Sequence, residues 1–170
     1  VVRDVWSGAY PSMAVIVLTR STVVGSRVSE LCGVGHRRCS LELCVRKGVI
    51  VVDDANLTES VKAVAWAGFG TTGQRCTATS RVIVHEKVAA AFAEQLKAEA
   101  EKLQVGDGLL AETGMGPLVN KGRVAAVHAY TEVGQQEGAT LVTGGHALSD
   151  GELADGAFYA PTIFTAVQPE

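Results

Sequence analysis

An α/β fold with a largely parallel sheet is what this sequence predicts, and three observations predict it. Short aliphatic runs alternate with helix-patterned stretches along most of the chain. The run Gly48 to Val52 is almost wholly aliphatic, as in a strand covered on both faces. From Glu86 to about Gln104, Val88, Phe92, Leu96, Ala100 and Leu103 recur at helical spacing.

In chain order, Met13 to Leu18 (MAVIVL) reads as a short buried strand, and Thr22 to Cys32 as a helix with Val24, Val28 and Leu31 on one face. Ser40 to Leu43 and Gly48 to Val52 are further strands. Asn56 or Thr58 can cap a helix that runs to about Phe69. The loop GTTGQRCT, Gly70 to Thr77, leads into a strand at Arg81 to Val84. The Glu86 helix stops at Gly106, where glycine ends it. Lys121 to Gln136 is another long helix, Ala139 to Thr143 a strand closed by Gly144 and Gly145, and Phe158 to Phe164 a last extended piece.

At 170 residues the chain has room for one domain or parts of two. With 47% hydrophobic and 19% charged residues it reads as a well-packed protein and not a disordered one. A net charge of -3 leaves no basic footprint for nucleic acid. The longest aliphatic stretch, Ala14 to Leu18, is too short to span a bilayer, and no signal peptide is evident. The chain opens on valine, which places the expected start upstream. Cys32, Cys39, Cys44 and Cys76 match no metal-ligand spacing and read as free thiols in a reducing, cytoplasmic compartment.

Two residues draw attention for chemistry. Cys76 lies among small residues in GTTGQRCTATS, where the backbone can approach a ligand and present amides to it. Arg75 beside it would favour the thiolate. The same composition fits a buried structural cysteine in a plain loop, so both readings stand on residue types alone. Glu42, inside SLEL, is an acid between apolar residues: either a partly buried carboxylate fit for general-base work, or an edge-strand glutamate facing water. His36, His85, His128 and His146 show no recognisable pairing with an acid or a cysteine. Gly25, Gly33 and Gly35 do not form a GxGxxG turn.

These pieces together resemble the aldehyde dehydrogenase superfamily. FGTTGQRCTATSRVIVHE, Phe69 to Glu86, is similar to that family's nucleophile loop and strand, with Cys76 at the nucleophile's place. SLEL resembles the start of the family's LELGGK motif and places Glu42 where the general base belongs. YPSMAVIVLTRSTVVG, Tyr10 to Gly25, resembles the strand, turn and helix that lie against the cofactor. MGPLV (Met115 to Val119) and FYAPTIF (Phe158 to Phe164) look like later landmarks of the catalytic domain.

The resemblance implies the end of a Rossmann-type cofactor domain over residues 1–43. The first part of an α/β catalytic domain would fill 44–170, both domains being incomplete. It implies Ser21, Thr22, Val24, Gly25 and Leu43 as cofactor contacts, and NAD or NADP as the cofactor, with NAD favoured as the family's commoner choice. It further implies an aldehyde substrate oxidised to a carboxylic acid through a Cys76 thiohemiacetal and thioester. No metal, nucleic acid or membrane partner is expected, and the full-length protein would be a homo-oligomer.

Three positions depart from the pattern. Cys44 and Val45 stand where LELGGK has glycines, and Arg20 stands where FTGST has one. If those backbones need positive φ, each replacement costs about 1–2 kcal/mol. Relative to the family the chain also lacks the first half of the cofactor domain and the later part of the catalytic one, so the expectation for the isolated chain is a fragment of an oxidoreductase, inactive alone. A non-catalytic relative serving as a binding or scaffold protein, in which the lost glycines are tolerated, is the alternative.

Overall fold

The computed structural model describes residues 13–43 and 47–168. The chain divides into two compact units, one ending at Val45 and one starting at Arg46.

The first unit is a strand–helix–strand. β1 (Val15–Arg20) leads through Ser21 into α1 (Thr22–Val34), and β2 (Arg38–Leu43) returns parallel to β1 in the register Val15↔Arg38 to Arg20↔Leu43. The helical crossover is what permits parallel pairing of two strands so close in sequence. The buried stripe of α1 is Gly25, Val28 and Cys32, with Val24 and Leu31 at its margins. A Cβ at Gly25 would collide with the Leu43 side chain, so this glycine sets how closely the helix lies on β2. α1 ends two residues beyond the expected Cys32, because the Gly35 amide still reaches the Leu31 carbonyl at 3.2 Å.

The second unit opens with β3 (Lys47–Val51), then α2 (Leu57–Phe69), β4 (Thr79–Val84) and α3 (Glu86–Glu101). β3 and β4 are parallel, with Val49 opposite Val82 and Val51 opposite Val84. Asn56, the first of the two expected caps, accepts the Glu59 amide at 3.2 Å and starts α2. Val61, Val64 and Ala65 of α2 and Phe92, Leu96 and Ala100 of α3 form the main core with Val51 and Ile163, against Val49, Val82 and Val84. Alternation along the strands sends Ile50 and Ile83 to the opposite face, where they are 73% and 64% exposed. The expectation of a strand buried on both faces thus holds here for one face only.

α3 also stops earlier than the sequence suggests. The Gln104 carbonyl accepts the amides of Gly114 and Met115 at 2.9 and 3.1 Å, and Val105 bridges Met115, so this backbone is committed across the chain rather than along a helix. α4 (Lys121–Gln136) begins where Asn120 accepts the Arg123 amide at 3.0 Å. β5 (Thr140–Thr143), β6 (Ala147–Leu148), β7 (Phe158–Tyr159) and β8 (Ile163–Thr165) follow, with a three-residue 3₁₀ turn at Gly151–Leu153.

Largely parallel pairing holds for the two longer ladders, β1–β2 and β3–β4, and not for the last third of the chain. β5 pairs with β8 and β6 with β7, both antiparallel, so the described strands form two parallel and two antiparallel ladders. No helix long enough for a crossover separates them, and only antiparallel return is then open. The single extended piece expected at Phe158–Phe164 is accordingly two strands. Leu118, Ala157 and Tyr159 form a second, smaller core beside Val124 and Val127. Among the described residues no helix is long and apolar enough to cross a membrane.

Candidate functional site

The loop between α2 and β4 is a chain of tight turns. The Thr72 amide donates to the Phe69 carbonyl at 2.7 Å, Gln74 to Thr71 at 3.0 Å, and Ala78 to Arg75 at 3.1 Å. Cys76 and Thr77 occupy the two central positions of the last turn, just before β4 begins at Thr79. The Cys76 side chain is exposed, which removes the reading of a buried structural cysteine. Neither the Cys76 nor the Thr77 amide makes a backbone hydrogen bond among the described residues. The turn therefore offers an accessible thiol beside two uncommitted donors.

The approach to this turn is sharply bent. Gly73 has φ +66° and Thr72 φ +55°, a left-handed pair in which the threonine is the unusual member. The Thr72 hydroxyl donates to the Gly116 carbonyl at 3.0 Å. The Gln74 carboxamide reaches the same segment twice: Nε2 donates to the Pro117 carbonyl at 3.2 Å, and Oε1 accepts the Val119 amide at 2.9 Å. Arg75 turns the other way and lays its guanidinium on the Trp66 ring, 3.9 Å from the centroid, with its Nε buried and without a hydrogen-bond partner. The cation expected to serve the thiol is thus stacked on an aromatic face.

Glu42 lies in the first unit, exposed on β2 and paired in register with Thr19. Of the two placements open from sequence, the structure shows the strand glutamate facing water and not the partly buried carboxylate. Period-two alternation explains it: Leu43 and Leu41 take the partly covered side of the ladder, and Glu42 takes the other. Glu42 and Cys76 therefore belong to different units.

The cofactor candidates gather at the start of α1. Ser21 and Thr22 are exposed, Val24 is half-buried, and Gly25 meets Leu43 in the packed interior. The Ser21 hydroxyl makes no capping hydrogen bond, and the first turn holds no acidic residue. Hydroxyls and first-turn amides with no acidic residue in that turn are a donor set that fits a dinucleotide's phosphates. Arg20 stands exposed at the end of β1 in extended backbone, so no positive-φ cost arises there. Cys44 and Val45 lie outside the described residues, as do Tyr10, Pro11 and Ser12 of the upstream motif.

The histidines are less idle than their scatter in sequence suggests. His128 Nδ1 and the Tyr159 hydroxyl are 3.0 Å apart, that hydroxyl and Thr131 Oγ1 are 3.0 Å apart, and His128 Nε2 faces Glu132 at 3.9 Å. His85 caps α3 by accepting the Lys87 amide at 3.3 Å. The residues that sequence reasoning missed are Thr72, Gln74 and Trp66. The motifs holding two of them were visible, but their partners lie more than 40 positions away, where no periodicity reaches.

Comparison with known proteins places this geometry. Residues 9–170 match the aldehyde dehydrogenase family model. An α-ketoglutarate semialdehyde dehydrogenase of Haloferax volcanii is 42% identical over 156 residues, covering 91% of this chain and 32% of that protein. The α-ketoglutaric semialdehyde dehydrogenase of Bacillus subtilis is 36% identical over 91% of the chain and 32% of its own length. Among solved structures, a betaine aldehyde dehydrogenase from Staphylococcus aureus in complex with NAD+ superposes with a TM-score of 0.91 at 29% identity, over 98% of this chain and 33% of that one. PnpE in complex with nicotinamide adenine dinucleotide gives 0.86 at 36% identity, over 89% and 31%. The chain spans about a third of the length of the relatives it matches. On a match that takes in nearly all its residues, the chain belongs to the aldehyde dehydrogenase family.

Proposed function

We propose that these residues are the nucleophile-bearing part of an enzyme that oxidises an aldehyde to a carboxylic acid, with Cys76 as the attacking group. One observation carries the reading: an exposed thiol at the corner of a tight turn, with the two residues before it held by separate contacts. The family's own chemistry, covalent capture of an aldehyde by a thiolate, needs that combination of access and fixed position.

In this reading the Cys76 thiolate attacks the carbonyl carbon, and the π pair of the C=O bond becomes an oxyanion. The Cys76 and Thr77 amides, which make no backbone hydrogen bond among the described residues, donate to that oxygen in this reading. Ser21, Thr22 and the first-turn amides of α1, with Val24, Gly25 and Leu43 beside them, would hold NAD or NADP, which would supply the hydride acceptor; Cys76 would then carry the acyl group as a thioester. Glu42 then takes a proton from water, the hydroxide adds to the thioester carbon, and the acid departs as the Cys76 thiolate returns. Residues 1–43 serve as the end of the dinucleotide-binding domain and 44–170 as the start of the catalytic one. Relatives three times as long supply what these residues do not, so the 170-residue chain alone does not turn over.

The test is NADH formation by the full-length protein that carries this chain, with α-ketoglutarate semialdehyde as first substrate because two relatives bear its name. Cys76→Ala abolishes turnover, and Glu42→Gln retains a single burst without steady turnover. Unchanged steady rates in both variants would sink the proposal.

A further inference from the structure

We infer that Gln74 and Thr72 are positioning residues for the nucleophile, and that the segment Gly116–Val119 is the fixed rail on which they hold it. The inference rests on the reading of Cys76 as nucleophile and deepens it.

Three hydrogen bonds from two side chains meet three residues of this four-residue segment. Thr72 Oγ1 donates to Gly116 O, Gln74 Nε2 donates to Pro117 O, and the Val119 amide donates to Gln74 Oε1. The carboxamide thus presents a donor and an acceptor to one stretch of backbone, as a neighbouring strand would. The rail is itself anchored. Leu118 is buried in the second core with Ala157 and Tyr159, its amide donates to the Ala157 carbonyl at 2.8 Å, and Met115 is buried just before it.

Between Gln74 and Cys76 stands only Arg75, and its guanidinium is stacked on Trp66 of α2. The two residues before the thiol are therefore fixed to separate bodies, the rail and the helix. Without the carboxamide, the left-handed bend at Thr72 and Gly73 has lost two of the three side-chain bonds that tie it to Gly116–Val119 and keeps only its own turn bonds and the Thr72 hydroxyl. Gln74 is itself exposed. Hydrogen bonds at such a site contribute little to global stability, so a purely structural role predicts a small loss of every property at once. A positioning role predicts a selective one.

The experiment uses the full-length enzyme that carries this chain, with Gln74→Met, which keeps length and removes both bonds. It reads kcat for aldehyde oxidation, KM for NAD, Tm, and the rate at which iodoacetamide alkylates Cys76. The expected result is a kcat lower by about tenfold to a hundredfold, the scale of a misplacement near 1 Å. KM for NAD and the alkylation rate stay within about twofold, because the cofactor residues lie on the other unit and the thiol is still exposed. Tm moves by no more than about 3 °C, the scale of one exposed hydrogen bond or two.

A kcat within twofold of wild type, in a background where Cys76→Ala is inactive, overturns this inference and leaves the proposed function standing. Full activity of Cys76→Ala overturns both. Where Gln74→Met lowers Tm further than stated, Thr72→Val decides by the same kcat criterion, since it keeps the side-chain shape and removes only the bond to the Gly116 carbonyl.

Discussion

Adding one methyl group five residues apart should move stability in opposite directions. Gly68 lies inside α2 with no positive φ, and a Cβ there would sit 3.6 Å from the Thr79 carbonyl oxygen, an ordinary contact. Gly68→Ala therefore stabilises by about 0.5–1 kcal/mol, through lower entropy of the unfolded chain and better helix propensity. Gly73 has almost the same spatial freedom, its Cβ falling 3.4 Å from the Gly68 carbonyl oxygen, but its φ is +66°. Space is not limiting there; the left-handed backbone is, and Gly73→Ala destabilises by about 1–2 kcal/mol. The two variants differ by about 2 kcal/mol although the chemistry is identical. With a urea dependence of about 2 kcal/mol per molar, their midpoints separate by about 1 M. Urea titration followed by circular dichroism reads this directly. Shifts of the same sign, or a Gly73→Ala midpoint at or above wild type, would refute the bent loop on which the Cys76 geometry depends.

Three further outcomes follow from packing and charge. Phe92 is 2% exposed at the centre of the α2–α3 core, so Phe92→Ala should cost about 3–5 kcal/mol in the same titration; a loss under 1 kcal/mol would remove it from the core. Among the described cysteines, iodoacetamide at neutral pH should label exposed Cys76 before Cys39 and Cys32 after both, because burial, with neighbouring Cys39 adding to it, pushes the Cys32 thiol up; peptide mapping reads the order, and equal rates would contradict it. Lys87 Nζ lies 2.9 Å from Asp53 Oδ2 and holds that carboxyl below its ordinary value, with His85 adding to the effect. A depressed folded value gives stability that is present above the unfolded pKa and lost as pH falls through the folded one. Lys87→Met should raise the Asp53 titration midpoint in carboxyl NMR, and an unmoved midpoint would show the pair is not formed in solution.

The sequence reading succeeded where local rules decide structure. The stripe Val88, Phe92, Leu96 and Ala100 marked α3, Asn56 marked the start of α2, and the Lys121–Gln136 helix appears with the bounds expected. It failed where distant backbone competes. Gln104 carries a helical pattern, yet its carbonyl is taken by Gly114 and Met115, and no window along the chain reveals such a partner. The antiparallel ladders of the last third were equally hidden, since a two-residue strand such as Ala147–Leu148 has no periodicity to read.

At the site, the order GQRCT was enough to draw attention to Cys76, and the glycine at position 73 does occupy the left-handed conformation that only glycine adopts freely. Glu42 shows the reverse case. Its apolar neighbours left burial and exposure both open, and alternation on the strand decides for exposure by putting neighbours on opposite faces. The clamp from Gln74 to Val119 was illegible because a carboxamide bound to backbone leaves no mark on the partner's residue type.

The most direct measurement is peptide-mapping mass spectrometry of the full-length protein that carries this chain, as Glu42→Gln, quenched during reaction with aldehyde and NAD. The account predicts an acyl group on the peptide containing Cys76, because hydrolysis of the thioester is slowed while its formation is not. An unmodified Cys76 peptide, together with undiminished oxidation by Cys76→Ala, would contradict it.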